Sequence, residues 1–283
     1  MKKYRKAAIP PFILFLMISF CLIFVYSMLA EWLYPIDLGK TSLLKRLIPP
    51  SFMEGGKPEY FLGTDSLGRD FYIRLVYATR NSLLISLSAM VMACTIGVIL
   101  GVLSGLYGGW VDTMISFIVD ARLSIPFIII AIVCASIFGS DKVTMTLIMG
   151  LSGWGSFARL IRGQIMQLKE QNFIECSRAL GASHTRILFE HVLKNIASPL
   201  IVEVTMRLGA FILLESSMSF LGLGIQPPDV SLGVMVSNGR DYLMNFPWLT
   251  LLPSAMIVII VLQFSLIGDW LRDRLDPKLQ NNH

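Results

Sequence analysis

Five stretches of this chain run without a single Asp, Glu, Lys or Arg for about the length that crosses a bilayer: Ala7 to Ala30, Asn81 to Val111, Leu123 to Ser140, Val143 to Ala158 and Tyr242 to Gly268. About 20 apolar helical residues span the ~30 Å of hydrocarbon, so each block is near or above that length. A sixth stretch, Pro199 to about Gly222, holds Glu203, Arg207 and Glu215 but is otherwise overwhelmingly apolar. Ser198 followed by Pro199 reads as its N-cap and first helical residue. The expectation is an all-α polytopic membrane protein with six transmembrane helices. A soluble enzyme is excluded on the same grounds: only 15% of the 283 residues are charged, against roughly 25% in soluble domains.

The first block follows Lys2, Lys3, Arg5 and Lys6, so a signal peptide competes with a retained helix. Its length exceeds an ordinary signal core, and Met28 stands where a cleavage site before Glu31 would want a small residue. It is read as a retained helix. With six spans both termini lie on one side, together with the basic stretch from Arg159 to Lys194, and the positive-inside rule makes that side the cytoplasm. The organisation expected is an N-terminal tail and first helix over 1–30, an extracytoplasmic segment over 31–80, and a five-helix core over 81–283 with a cytoplasmic loop at about 159–196. Within the outer segment Leu43, Leu44, Leu47 and Ile48, flanked by Lys40, Lys45 and Arg46, fit either a short helix lying in the membrane interface or an ordinary surface helix.

The net charge of +5 does not point to nucleic acid, because the basic residues flank apolar blocks instead of forming one face. Cys21, Cys94, Cys134 and Cys176 are scattered and indicate neither a disulfide framework nor a metal site. The histidines, His184, His191 and His283, come with no HExxH or GxSxG pattern, and there is no GxxxxGK[ST] loop for nucleotide. No catalytic residue is assigned. In the second span Ala89, Ala93, Gly97, Gly101 and Gly105 put a small residue at every fourth position, a face that lets a neighbouring helix backbone come close.

Several ordered motifs together resemble the C-type permease subunits of dipeptide, oligopeptide and nickel importers of the ATP-binding-cassette class. They are FLGTDSLGRD (Phe61 to Asp70), YGGWVD (Tyr107 to Asp112), GWGSFARLIRG (Gly153 to Gly163), RALGAS (Arg178 to Ser183), SMSFLGLGIQPP (Ser217 to Pro228) and GDWLRDRLDP (Gly268 to Pro277). The resemblance implies a type I importer permease fold in a bacterial cell membrane. It implies no cofactor in this chain, ATP and Mg on partner subunits, a second permease subunit, two ATP-binding subunits and an extracytoplasmic substrate-binding protein. Glu175, Cys176, Ser177, Arg178, Ala179, Leu180, Gly181, Ala182 and Ser183 would then form the coupling loop that docks on an ATPase subunit. Cys176 and Ser177 replace the alanines of the family's EAA motif, and Lys194 replaces a proline usual near the loop's end.

By the same resemblance the outer motif, with Gly63, Thr64, Asp65, Gly68, Arg69 and Asp70, faces the binding protein or partner permease, although capping by Thr64 and Asp65 would account for half of it. Glu203, Arg207 and Glu215 are candidates for the translocation path, because ionisable groups in a span usually face a bundle interior or water. A self-neutralising pair of Glu203 and Arg207 at i, i+4 is the other reading. Peptide is the leading cargo, nickel or a metal chelate the alternative. A secondary transporter would call for inverted repeats or paired broken helices, and neither is visible.

Overall fold

A computed structural model of the chain describes residues 9–35, 37–172, 174, 181, 186 and 192–275. Its elements are helices, with one isolated antiparallel bridge between Thr64 and Asp70. In chain order they are α1 (Pro11–Met28), α2 (Ala30–Leu33), α3 (Phe71–Tyr107), α4 (Gly109–Ser124), α5 (Phe127–Phe138), α6 (Lys142–Lys169), α7 (Leu193–Met218), α8 (Leu232–Gly239) and α9 (Trp248–Leu275).

The axis of the bundle is the pairing of α3 with α6, which run parallel: Gly97 meets Trp154 and Phe157, Gly101 meets Ala158 and Ile161, and Gly105 meets Ile165. At the far end the Lys169 ammonium donates to the Leu106 carbonyl at 2.7 Å, which takes up one of the acceptors a helix C-terminus leaves free. Helix α7 runs against α3, with Glu215 beside Ser82, and against α9, with Met206 beside Gly268. Phe20 of α1 stacks edge-on on Phe264 of α9 at 4.6 Å, and Ser19 accepts from Gln263 at 2.8 Å. The direction of the chain therefore alternates through α1, α3, α4 with α5, α6, α7 and α9.

These passes are not the six uniform apolar spans expected. Four helices, α1, α3, α7 with its extension to Leu223, and α9, have the length and apolar content to cross a membrane. Helices α4 and α5 make a fifth crossing only when counted as one, bent by 84° at their junction. The block from Leu123 to Ser140 contains just α5, whose 12 residues reach about 18 Å and stop short of a bilayer. Pro126 stands at the break, where it disfavours helix for the residue before it and starts the next helix.

Other boundaries move as well: α6 continues to Lys169, past Ala158, and α9 covers Trp248–Leu275, shifted from the block Tyr242 to Gly268. Helix α3 begins at Phe71, ten residues before the expected edge of the core, because Arg74 and Arg80 inside it are paired with Asp65 at 3.3 Å and Glu31 at 2.6 Å. It ends at Tyr107, before Val111, since Gly108 and Gly109 take φ of 67° and 51°, which no other residue type adopts cheaply. Pro199 is not the first residue of α7 but lies inside it, six residues past Leu193. Finally, no helix forms across Leu43 to Ile48. A single 3-10 turn covers Leu43–Lys45, and Leu47 takes a φ of 56° two residues before Pro49.

Candidate functional site

The polar groups inside the bundle fall into two classes, those sealed in packing and those that open onto grooves. Glu215 belongs to the first. It is fully buried, and its carboxylate accepts from Ser82 and Ser219 at 2.8 Å each and from Ser216 at 3.4 Å. Ser82 also accepts the Leu232 N–H at 3.0 Å, Ser231 joins Ser219 at 3.1 Å, and the Asn81 amide donates to the Val230 carbonyl at 2.7 Å. The cluster ties the start of α3, the end of α7 and the N-terminus of α8, which Ser231 caps. Glu215 is thus a sealed, multiply bonded carboxylate that joins three helices in this structure.

The second class lies along α6. On α4, Asp112 and Asp120 are eight residues apart and so share a face. Arg162 clasps Asp112 through two N–H groups, one at 2.7 Å, and Ser104 and Ser116 donate to the same carboxylate. Arg159 pairs with Asp120 at 2.8 Å. These rungs unite two motifs, YGGWVD through Asp112 and GWGSFARLIRG through Arg159 and Arg162. A groove of about 410 Å³ runs between the rungs past Ser116 and Ala158, and a second, of about 470 Å³, continues from Arg159 past Ser156 and Ser152 to Arg207.

Arg207 and Glu203 are joined as an i, i+4 pair through the arginine Nε, with the guanidinium 5.9 Å from the Phe157 ring. Counted from Leu193 at 1.5 Å per residue, Glu203 lies about 15 Å into α7, Arg207 about 21 Å and Glu215 about 33 Å, each deeper than a helix starting at Pro199 would place it. Both pair members keep exposure, 41% for the Arg207 side chain and 24% for Glu203.

The small-residue face of α3 is buried along its length, at Ala89, Ala93, Gly97, Gly101 and Gly105. A Cβ on Gly97 would sit 2.4 Å from the Phe157 Cβ, one on Gly101 2.7 Å from the Ala158 carbonyl oxygen, and one on Gly105 2.8 Å from the Ile165 Cβ. The neighbour on this stripe is the chain's own α6.

The outer motif is a folded knot at the head of α3. The helix cap is Asp70, which accepts the Ile73 N–H at 3.1 Å, and not Thr64 or Asp65. Burial raises the Asp70 carboxyl above the ordinary carboxylate value, opposed by its capping N–H bonds. Thr64 instead accepts from the Ile48 N–H at 2.9 Å and donates to the Lys45 carbonyl. Asp65 closes its own turn by accepting from the Leu67 and Arg69 N–H groups, and it pairs with the Arg69 side chain at 2.7 Å. Side chains at Gly63 or Gly68 would strike the Ile48 and Ser42 carbonyl oxygens.

The loop residues Glu175, Cys176, Ser177, Arg178, Ala179, Leu180, Ala182 and Ser183 lie outside the described residues. Gly181 is described, at φ 81°, and among the described residues no heavy atom lies within 4 Å of the place a Cβ would take.

Residues 97–281 match the family described as binding-protein-dependent transport system inner membrane component. The dipeptide transport system permease protein DppC of Haemophilus influenzae is 37% identical over 93% of this chain and 90% of its own length. The oligopeptide transport system permease protein OppC of Bacillus subtilis is 35% identical over 93% and 85%. The glutathione transport system permease protein GsiD of Pectobacterium atrosepticum is 38% identical over 89% and 82%. Among solved structures, an inward-facing conformation of the MetNI methionine ABC transporter superposes with a TM-score of 0.56 at 22% identity, over 72% of this chain and 96% of that one, which shows a shared fold.

Proposed function

Since this chain belongs to the family of binding-protein-dependent transport system inner membrane components, we propose that it is one of two permease subunits of an ATP-driven peptide importer. It is a multi-pass inner-membrane protein, and its role is that of a transport subunit, not an enzyme. The observation that carries the cargo is its identity of 35–37%, over 93% or more of its length, to relatives named for dipeptides, di/tripeptides and oligopeptides.

In this reading the grooves along α6 form this chain's half of the passage, and a second permease subunit supplies the other half. ATP and Mg bind two partner ATPase subunits. A binding protein delivers peptide from outside. The termini and the segment that links α6 to α7 face the cytoplasm, where Lys and Arg are favoured. Glu175 to Ser183 dock on an ATPase subunit: a turn at Gly181 lets two helical pieces present a rigid knob to a moving partner.

Gentle detergent purification of the tagged chain from its native membrane tests the assembly. A second permease and ATP-binding subunits are expected to come with it. Gly181→Val, which forces a β-branched residue to φ 81°, is expected to keep the second permease but lower recovery of the ATPase subunits several-fold. Recovery of the wild-type chain without any ATP-binding protein would contradict the reading, and full recovery with Gly181→Val combined with Glu175→Lys would remove the loop from it.

A further inference from the structure

We propose that Arg207 is a binding station for a carboxylate of the cargo, and that the groove it faces holds one end of a peptide during passage. The proposal rests on the peptide reading above.

Arg207 sits near the middle of α7, about 21 Å along a helix of 26 residues that is about 39 Å long. A guanidinium at that depth is too costly to face hydrocarbon, so it faces protein or water. It is not sealed as Glu215 is, because two fifths of its side chain is open. What it opens onto is the groove of about 470 Å³ that also carries Ser152, Ser156 and Arg159, a volume within the range of small-ligand sites.

The bonding leaves one edge of the guanidinium available. Glu203 takes the Nε–H, Phe157 lies against one face, and among the described residues neither Nη group has a hydrogen-bond partner. An Nη edge is a planar fork whose two N–H groups match the two oxygens of a carboxylate. Each arginine along the groove already has a carboxylate beside it, Asp120 for Arg159 and Glu203 for Arg207. The lining is thus close to neutral overall while presenting local charge of both signs, which suits a zwitterion with an ammonium and a carboxylate better than a simple anion.

The test uses the assembled importer, with both permeases, ATPase subunits and binding protein, in proteoliposomes supplied with a dipeptide of free C-terminus. Arg207→Gln is expected to assemble in normal amount and to lower initial uptake roughly tenfold, the scale of one lost charge-assisted interaction. Arg207→Lys is expected to recover part of the rate. The double variant Glu203→Gln with Arg207→Gln is expected to stay as slow as Arg207→Gln, since neutralising Glu203 does not replace the fork. Wild-type uptake by Arg207→Gln, or by the double variant alone, overturns the proposal, the latter by reducing the pair to mutual neutralisation. Loss of the second permease from the Arg207→Gln complex also overturns it, by making Arg207 an interface residue. Those outcomes leave the peptide reading standing. A wild-type importer that carries no peptide at all removes both.

Discussion

Gly101→Leu is expected to abolish assembly of the protein, leaving little or no complex recoverable from the membrane. The ideal Cβ at Gly101 falls 2.7 Å from the Ala158 carbonyl oxygen and 2.8 Å from the Ile161 Cβ. The first of these is backbone, which cannot rotate away. Leucine adds three further carbons, so α3 and α6 must separate, and the close approaches at Gly97 and Gly105 are lost with it. Overpacking in a tight interior costs about 1–3 kcal/mol where side chains can yield, and more where, as here, they cannot. In lipid no hydrophobic drive restores the pairing, because acyl chains are as apolar as the residues exposed. Gly163→Leu is the matched control: it lies on the same helix pair, in α6, and among the described residues nothing lies within 4 Å of its Cβ position. The ratio of monodisperse complex from the two variants is the measurement, and equal yields would show that the α3 and α6 backbones do not meet as described.

The second large effect is expected at Glu215. Alanine there removes the acceptor for the Ser82 and Ser219 hydroxyl hydrogens in a buried site, leaving two donors without a partner where α3, α7 and α8 meet. Each unsatisfied polar group costs about 1–3 kcal/mol, so the sum is on the order of 3 kcal/mol or more. Glu215→Gln keeps the shape and one acceptor oxygen and is expected to lose less. Thermal unfolding of the purified complex checks this, with Tm ordered wild type, Gln, Ala. A Tm for Glu215→Ala equal to the wild type would mean that the serine cluster does not hold these helices together.

Both effects depend on features the sequence displays to different degrees. The period-four stripe on α3 announces a close helix neighbour, but which helix fills it depends on contacts 50 to 60 residues away. Charge-free blocks locate α1 well, place α9 six to seven residues too early, and misplace the start of α3, because Arg74 and Arg80 are charged yet folded against Asp65 and Glu31. The same criterion conceals α4 entirely, since Asp112, Asp120 and Arg122 interrupt it. Two of those charges are consumed by α6 arginines 39 and 50 residues downstream, so no local pattern marks them as intramolecular. Pro199 reads as a helix start because proline is favoured there, and its place inside α7 reflects a helix that already exists before it, starting at Leu193. Glu215 and Arg207 look alike in sequence, as ionisable residues in one apolar span. Only the serines of α3 and the turn after α7 distinguish the sealed carboxylate from the open guanidinium.

Peptide is expected to move inward through this chain only as part of an ATP-driven assembly. The most direct measurement is uptake of a labelled dipeptide into proteoliposomes holding the chain, its second permease and the ATPase subunits, with the binding protein outside and ATP trapped inside. Accumulation is expected to need ATP, the binding protein and this chain together, with none from the chain alone. Uptake by the isolated chain driven by an ion gradient without ATP, or accumulation of a nickel chelate with no peptide uptake, would contradict it.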